Sequence, residues 1–427
     1  MIASVLQASN LYKAAHKVMQ NKGASGIDGM PVSKLPLYIR ANRERITTSI
    51  YSNGYIPQAI LGVPIPKEKG KSRLLGIPTV VDRCLQQAVS QMLMTKFEYE
   101  FEPFSYGFRP KKNIQKAVLQ AQEYINDGFQ DVVDIDLKGF FDEVDHSLLL
   151  QLVYNKVNCP ATLRLIRKWL RAPILIKGHL VKRRKGIPQG SPLSPLLSNI
   201  LLDVLDKFLS NQGLCYVRYA DDFSIYVRSK ESAKRVGNSI YTFLRDKLHL
   251  PINREKSGRR KPVNFNLLGF GFVPTYKKGE KGKYQLVVKQ SKWEELKAKL
   301  KAITRKTIPA SFDERIYRIN LLIRGWINYF KKASIHQKLK KLDEWLRNRL
   351  RYCIWTVPIA IGRKKPDRKR KNLIRLGINQ GQAYAWSRTR MGGWATAQSP
   401  ILITTITKDR LKKSGYMSML EYFLQVK

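Results

Sequence analysis

Two stretches of the chain gather carboxylates in patterns that could do chemistry. In GLCYVRYADDFSIYVRS (213–229), Tyr219-Ala220-Asp221-Asp222 lies between two apolar runs, which predicts a strand hairpin with two acids at its tip. Adjacent like charges raise each other's pKa unless something positive sits with them. Mg²⁺ is a hard ion that takes one or two carboxylates plus phosphate oxygens, and such a tip suits it. Two such ions ~3.5–4 Å apart stabilise both the attacking and the leaving oxygen of an in-line phosphoryl displacement. A lone Asp-Asp pair is ordinarily just a turn. This one follows a second acidic element, DVVDIDLKGFFDEVDH, from Asp131 to His146. Strand alternation there puts Val132, Asp134 and Asp136 on one face and Val133, Ile135 and Leu137 on the other. Two carboxylates on one face of an apolar strand are costly without a cation. The pattern does not choose between Asp134 and Asp136, and one of them pairing with a lysine is the plain alternative.

The elements that must position these acids are read from periodicity. The 427 residues allow two to four folding units, and a hydrophobic fraction of 43% supplies a sizeable core. Up to about residue 290, helical periods mix with short strand-like runs and turn clusters. From Ser291 to about Thr356 the chain reads as helices: Trp293, Leu296, Leu300 and Ile303 recur at helical spacing, then Ile316, Ile319, Leu322, Ile323 and Trp326, then Leu339, Leu342, Trp345, Leu346 and Leu350. Their other faces carry Lys292, Lys297, Lys299, Lys301, Arg347, Arg349 and Arg351. A basic run, Gly362 to Lys371, follows. The tail predicts a short helix stopped by Gly377, a Gly392-Gly393 turn and a last helix around Met417 to Leu424.

Charge narrows the partners. Lys plus Arg total 78 against 32 acids, a net +46. Such an excess repels itself in a compact chain and calls for a polyanion. Nucleic acid is favoured over a membrane surface, which would need a dominant basic amphipathic helix. No run approaches the ~20 apolar residues of a membrane span, and the start lacks the pattern of a secretory signal. Four cysteines (Cys84, Cys159, Cys215, Cys353) without a CxxC pair argue against a disulfide framework or zinc finger and suit a reducing cytoplasm.

Taken in order, the motifs resemble those of group II intron-encoded reverse transcriptases, also called maturases. The strand with Asp136 and Phe141 is similar to the family's first catalytic block and Tyr219-Ala220-Asp221-Asp222 to its second. KGIPQGSPLSPLLSNILLDVLD (Lys185 to Asp206), LLGFGF (Leu267 to Phe272), RGWINYF (Arg324 to Phe330), SYGFRP (Ser105 to Pro110) and GASGIDGM (Gly23 to Met30) resemble further blocks. The resemblance covers essentially the whole chain. It implies an α+β right-hand polymerase: fingers and palm with an antiparallel palm sheet over 1–290, including an N-terminal extension, a helical thumb over 291–357, and a small basic DNA-binding-like domain over 358–427.

The same resemblance assigns roles. It selects Asp136 over Asp134, because the family's first metal ligand stands five residues before the aromatic Phe141. Asp136, Asp221 and Asp222 are then the metal and catalytic acids, with Leu137 implied at both the metal and the nucleotide. Lys67 and Arg73 resemble the pair that clamps the triphosphate, an arginine fork matching phosphate oxygens and a lysine supplying a point charge. Phe141 resembles the steric gate against a ribose 2′-OH, and Gln189 the residue that backs the nucleotide. Ser194 and Pro195 are expected as N-cap and first position of the helix that follows. Ser191 stands where glycine is more usual, with a small effect on loop flexibility expected. Lys256 resembles the general acid for leaving pyrophosphate. Leu268, Gly269 and Phe270 resemble the primer grip. Arg109, Arg324, Lys364, Lys365 and Arg368 are expected on RNA or DNA, while Trp326 and Tyr329 are expected in the core. The bland reading of Lys67, Arg73 and Lys256 is a solvated loop, and of Phe141 a core aromatic.

Two Mg²⁺ ions are the implied cofactors, with Mn²⁺ as a substitute. The implied partners are group II intron RNA, an RNA template with a DNA primer, target DNA and dNTPs, in a bacterial, nucleoid-associated cytoplasmic setting. No HNH-like cluster is found, so second-strand nicking is not expected of this chain. Two alternatives keep most of the motifs: a free-standing reverse transcriptase in defence or repair, and an RNA-splicing cofactor with little polymerase activity.

Overall fold

A computed structural model describes residues 1–66, 72–276, 282–305, 307–356 and 366–427. By contact the chain forms two compact units, Met1–Pro262 and Val263–Lys427.

The first unit holds two four-stranded sheets among helices. Strands β1 (Ile60–Pro66) and β2 (Ser72–Ile77) form an antiparallel pair. Strand β3 (Asp131–Asp136) belongs to the other sheet, while β4 (Ile174–Ile176) and β5 (His179–Val181) extend the first in the order β2-β1-β4-β5. Strands β6 (Cys215–Tyr219), β7 (Asp222–Val227) and β8 (Gly258–Arg260) join β3 in the order β6-β7-β3-β8, antiparallel throughout. This is the expected antiparallel palm sheet, with the acidic strand at its centre.

One hydrophobic core runs from the N-terminal helices to the helix behind this sheet. Helix Ser194–Asn211 buries Leu196, Leu197, Ile200, Leu201, Leu205 and Leu209, an apolar face at helical spacing. Its start differs by one residue. Ser194 lies within the first turn rather than capping it, because its hydroxyl donates to Pro188 O (2.6 Å) and ties the preceding turn down. Helix Val80–Phe97 is capped by Thr79 and carries the buried Asp82. That carboxylate accepts from Tyr55 Oη (2.8 Å), Trp169 Nε1 (2.8 Å), Thr79 Oγ1 (2.8 Å) and Gln58 N (3.2 Å), so the loop before β1, the helix of Trp169 and this helix's own cap meet on one side chain.

The second unit opens with a three-stranded antiparallel sheet of β9 (Asn266–Leu267), β10 (Phe270–Pro274) and β11 (Tyr284–Val288). Three helices follow, Gln290–Ile303, Phe312–Phe330 and His336–Thr356, burying most of the residues whose spacing predicts them and leaving Ile303, Leu322, Trp326 and Trp345 half-buried. The contact boundary falls after Pro262 rather than near residue 290, because the small sheet packs with the helices that follow it: Phe270 lies against Tyr329 and Phe330.

The tail is likewise built into this unit. Asp343 accepts from Tyr416 Oη, Ser418 Oγ (3.1 Å) and Met419 N (2.9 Å), which fastens the last helix, Met419–Val426, to His336–Thr356. For the same reason part of the expected basic outer face turns inward. Arg347 pairs with Asp343, Arg349 donates to Thr304 O (2.8 Å), and buried Arg351 donates to Ile406 O (3.0 Å). Among the described residues, no helix is long and apolar enough to cross a membrane.

Candidate active site

The register of the central sheet brings the acids together. Asp136, the last residue of β3, stands directly opposite Asp222, the first of β7. Tyr219 pairs with Asp222 across the hairpin, leaving Ala220 and Asp221 as a two-residue turn. Ala220 has φ +59°, a conformation that such turns normally leave to glycine and that costs an alanine strain.

What surrounds the turn holds it there. Arg218 Nη1 donates to Ala220 O (2.9 Å) and to Asn199 Oδ1 (3.0 Å), while its Nε donates to Asp206 Oδ1 (2.8 Å). The Arg218–Asp206 pair is fully buried. From outside, the Ser105–Pro110 segment grips the hairpin. Tyr106 N donates to Arg218 O (2.8 Å), and Gly107 lies so close that a Cβ there would fall 2.3 Å from Ala220 N. Sequence reading did not single out Arg218, Asp206 or Asn199. The signal was a charged pair placed where only apolar residues are expected, on β6 and on the core face of a helix.

Asp136 is tethered by the segment after Pro251. Asn253 Nδ2 donates to Asp136 Oδ2 (2.9 Å), Asn253 N to Asp136 O (2.8 Å), and Asp136 N to Ser257 Oγ (3.0 Å). Between these two residues, Lys256 Nζ lies 3.6 Å from Asp136 Oδ2. Asn253 and Ser257 were also missed, although both flank Lys256 in NREKSG. Asp134, the competing acid, is engaged elsewhere: Arg260 Nε donates to its Oδ2 at 2.9 Å. The side chain of Leu137 is buried, so only its main-chain atoms are left to face a metal or nucleotide.

Electrostatics favour a cation at this corner. Burial first, then the charges of Asp221, Asp136 and Asp134, push the Asp222 carboxyl up to about 6, with Lys256 opposing them. Crowded acids of this kind fit a divalent ion that neutralises them. Among the described residues, no three His, Cys, Asp or Glu side chains already converge as a finished set of metal ligands. Asp136, Asp222 and Asp221 are the residues that could hold the ion, with substrate phosphates completing its shell.

Several of the expected nucleotide residues share one cavity of about 860 Å³, whose lining includes Arg73, Phe141, Gln189, Ser191 and Phe108. Arg73 Nε donates to Gln189 Oε1, which joins β2 to the Pro188-Gln189-Gly190 turn. Gly76 N donates to Gln189 O (2.7 Å), and at Gly190 (φ +118°) a Cβ would sit 2.5 Å from Gly76 O. Ser191 Oγ donates to Gln86 Oε1 (2.8 Å) and accepts from Leu193 N (3.2 Å), so this serine anchors the loop to helix Val80–Phe97. The two backbone amides Gly186 N and Ile187 N donate to Val144 O (2.7 Å) and Phe141 O (2.6 Å), fixing the wall that carries the Phe141 ring.

The other expected residues scatter. Lys67, Lys364 and Lys365 lie outside the described residues. Arg109 is buried and its guanidinium is spent inside the protein, on Glu98, Glu102 O (2.5 Å), Ser105 O (3.0 Å) and Phe101 O (3.3 Å). That leaves no donor for a phosphate and makes it a scaffold for the Ser105–Pro110 segment. Arg324 and Arg368 are exposed on helices. Leu268 (φ +52°) and Gly269 (φ +83°) form the β9–β10 turn, held by Tyr329 Oη on Leu268 O (3.1 Å). Phe270 is fully buried and anchors the turn from within, while Leu268 and Gly269 border a cavity of about 490 Å³ with Lys292 and Lys299. Trp326 packs, rings tilted, with Trp293 (centres 4.6 Å apart) and Phe330 (4.7 Å), and Tyr329 joins Phe330 (4.6 Å); both are half-buried and line the same cavity rather than lying wholly in the core.

Residues 65–272 match the model of the reverse transcriptases (RNA-dependent DNA polymerases), and residues 293–371 match the group II intron maturase-specific domain. The chain is 27% identical over 345 residues to Protein YkfC of Escherichia coli K12, covering 71% of this chain and 90% of that one. It is 30% identical over 325 residues to the group II intron-encoded protein LtrA of Lactococcus lactis, covering 59% of this chain and about half (53%) of LtrA. A solved telomerase from Candida albicans aligns over 82% of this chain and 71% of its own, with a TM-score of 0.44 and 12% identity. With a reverse transcriptase domain followed directly by a maturase-specific domain, the chain belongs to the group II intron family of reverse transcriptases.

Proposed function

We propose that this chain copies RNA into DNA at the corner where β3 meets β7, and that it also binds a group II intron RNA to assist splicing and mobility. The observation that carries the polymerase reading is the register that sets Asp136 opposite Asp222. Two Mg²⁺ ions, when bound, would stabilise the attacking sugar oxygen and the leaving phosphate oxygen. Asp136, Asp222 and Asp221 would hold them, Asn253 and Ser257 fixing Asp136 and Arg218 fixing the turn that bears Asp221.

The dNTP would occupy the 860 Å³ cavity. Arg73 and Lys67 would grip its phosphates, and Gln189 would back the base and template. The Phe141 ring on the wall would exclude a ribose 2′-OH. Lys256, exposed and near Asp136, would deliver a proton to pyrophosphate. Leu268 and Gly269 would meet the primer through their backbone, while Arg324, Lys364, Lys365 and Arg368 would meet RNA or target DNA. The maturase-specific match over 293–371 favours an intron-bound role over a free-standing one.

Primer extension on an RNA template tests the catalytic assignment. Asp222→Ala and Asp136→Ala should each abolish DNA synthesis, whereas Asp134→Ala should leave it within a few-fold. Retained synthesis by either of the first two variants would remove the assignment.

A further inference from the structure

On the Val133 and Ile135 face of the catalytic strand, opposite the face of Asp134 and Asp136, lies a second cavity of about 830 Å³ between β3, β8 and helix Lys230–Asp246. We propose that it binds an unpaired segment of single-stranded RNA, phosphates at its basic rim and a base over its apolar floor. This deepens the RNA-binding reading above and rests on it.

The floor is aliphatic, made by Val133, Ile135 and Ile252, while Lys230, Lys234 and Arg254 stand at the rim. Lys234 and Arg254 make no ion pair among the described residues and are exposed. Arg254 is nonetheless held in place: its Nη2 donates to Tyr241 Oη (2.7 Å), and its guanidinium carbon lies 5.2 Å from the Tyr241 ring centre. A fork oriented in advance loses little entropy when it takes a phosphate. One acid, Glu231, is on the lining, and the fourth cation, Arg259, is engaged by Asp131.

Two glycines give an independent reason to regard this space as kept open. Gly237 is in the middle of a helix, where glycine costs ~1 kcal/mol relative to alanine. Yet its φ is not positive, and a Cβ there would meet only Val133 Cγ1 at 3.8 Å, an ordinary contact. A Cβ at Gly258 would meet nothing. Neither backbone conformation nor packing within the protein asks for these glycines, whereas a planar base lying on the floor does. Apolar floor, unpaired cations and open wall together match a nucleotide unit of an RNA strand, whose unstacked bases proteins commonly bury this way.

The test uses the full chain and a short unstructured RNA carrying 4-thiouridine, with cross-links located by mass spectrometry. Gly237→Leu fills the cavity while favouring the helix, and Lys230→Glu with Lys234→Glu reverses the rim. Neither variant touches the catalytic machinery, so primer extension serves as the folding control; Ser257, which tethers Asp136, is left alone. Wild-type adducts should map to the helix Lys230–Asp246 and fall roughly tenfold in both variants, with extension retained. Adducts confined to other segments, or unchanged in both variants, would overturn the site while leaving RNA binding intact. No adduct anywhere would overturn the RNA-binding reading as well. Loss of the adduct to excess UMP but not to unlabelled RNA would assign the cavity to a free nucleotide and reject the proposal.

Discussion

With its carboxyl pushed up to about 6, Asp222 holds a proton more readily in the folded chain than in an unfolded one, where about 3.9 is usual. Its contribution to stability is therefore present below about pH 4 and is lost as the pH rises through about 6. At neutral pH the metal-free protein carries a charge that its neighbours oppose. Asp222→Asn should raise the metal-free Tm at pH 7 and leave it unchanged near pH 4, while DNA synthesis is lost. The carboxylate is open to solvent at its tip, so the gain is on the order of 1 kcal/mol or less. Mg²⁺ should raise the Tm of the wild type at pH 7 and that of the variant much less. Equal melting at pH 7 with and without the substitution would contradict the crowding of acids. The two adjacent acids and the acidic strand were legible from residue types alone. The choice of Asp136 over Asp134 was not, because it depends on Arg260 and Asn253, which lie 126 and 117 residues from their partners.

Among the elements, the β6–β7 hairpin shows how the fold sustains a strained turn. Arg218 and Asp206 are removed from water together, and each answers the other's charge. Asp206→Ala would leave the guanidinium buried without its carboxylate, at a cost of about 3–5 kcal/mol. Replacing both partners by Met and Leu should cost less than the single change, though it frees the Ala220 carbonyl and should slow synthesis. Denaturant titration of the two variants beside wild type separates these outcomes, and an Asp206→Ala protein as stable as wild type would deny the pair its role. A second element is tuned by pH. His146, on the helix following Phe141, donates from Nε2 to Gly186 O (2.8 Å), and burial, followed by nearby Arg183 and Arg171, holds its pKa below the usual value. Stability from this group is whole above about 6.5 and declines as the pH falls toward its lower native value. His146→Gln should flatten that part of the pH–stability curve; an unchanged slope would exclude the effect. Helical periods showed the thumb-like helices in advance, since apolar spacing survives whatever packs beside it. They could not show that the tail covers one face of His336–Thr356, which is why Arg347, Arg349 and Arg351 read as solvent-facing.

At the scale of the whole molecule, the net charge of +46 acts on stability and on binding with opposite signs. Free of nucleic acid, the chain repels itself, and added salt screens that repulsion, so the Tm of the metal-free protein should rise with ionic strength. Bound RNA releases counterions as lysines and arginines neutralise phosphates, and salt opposes that release. If about eight phosphates are contacted, affinity should fall by ~10³–10⁵ between 50 and 200 mM salt. Because phosphate contacts carry no sequence information, an unrelated RNA should show nearly the same slope. Specificity for an intron RNA would then appear as a constant offset between two parallel lines of log K against log salt, supplied by shape and unpaired bases. Measuring both RNAs by equilibrium binding across that salt range checks both halves of the argument. A flat affinity would refute phosphate-led binding, and coincident lines would leave this chain a general RNA binder with no preference for an intron.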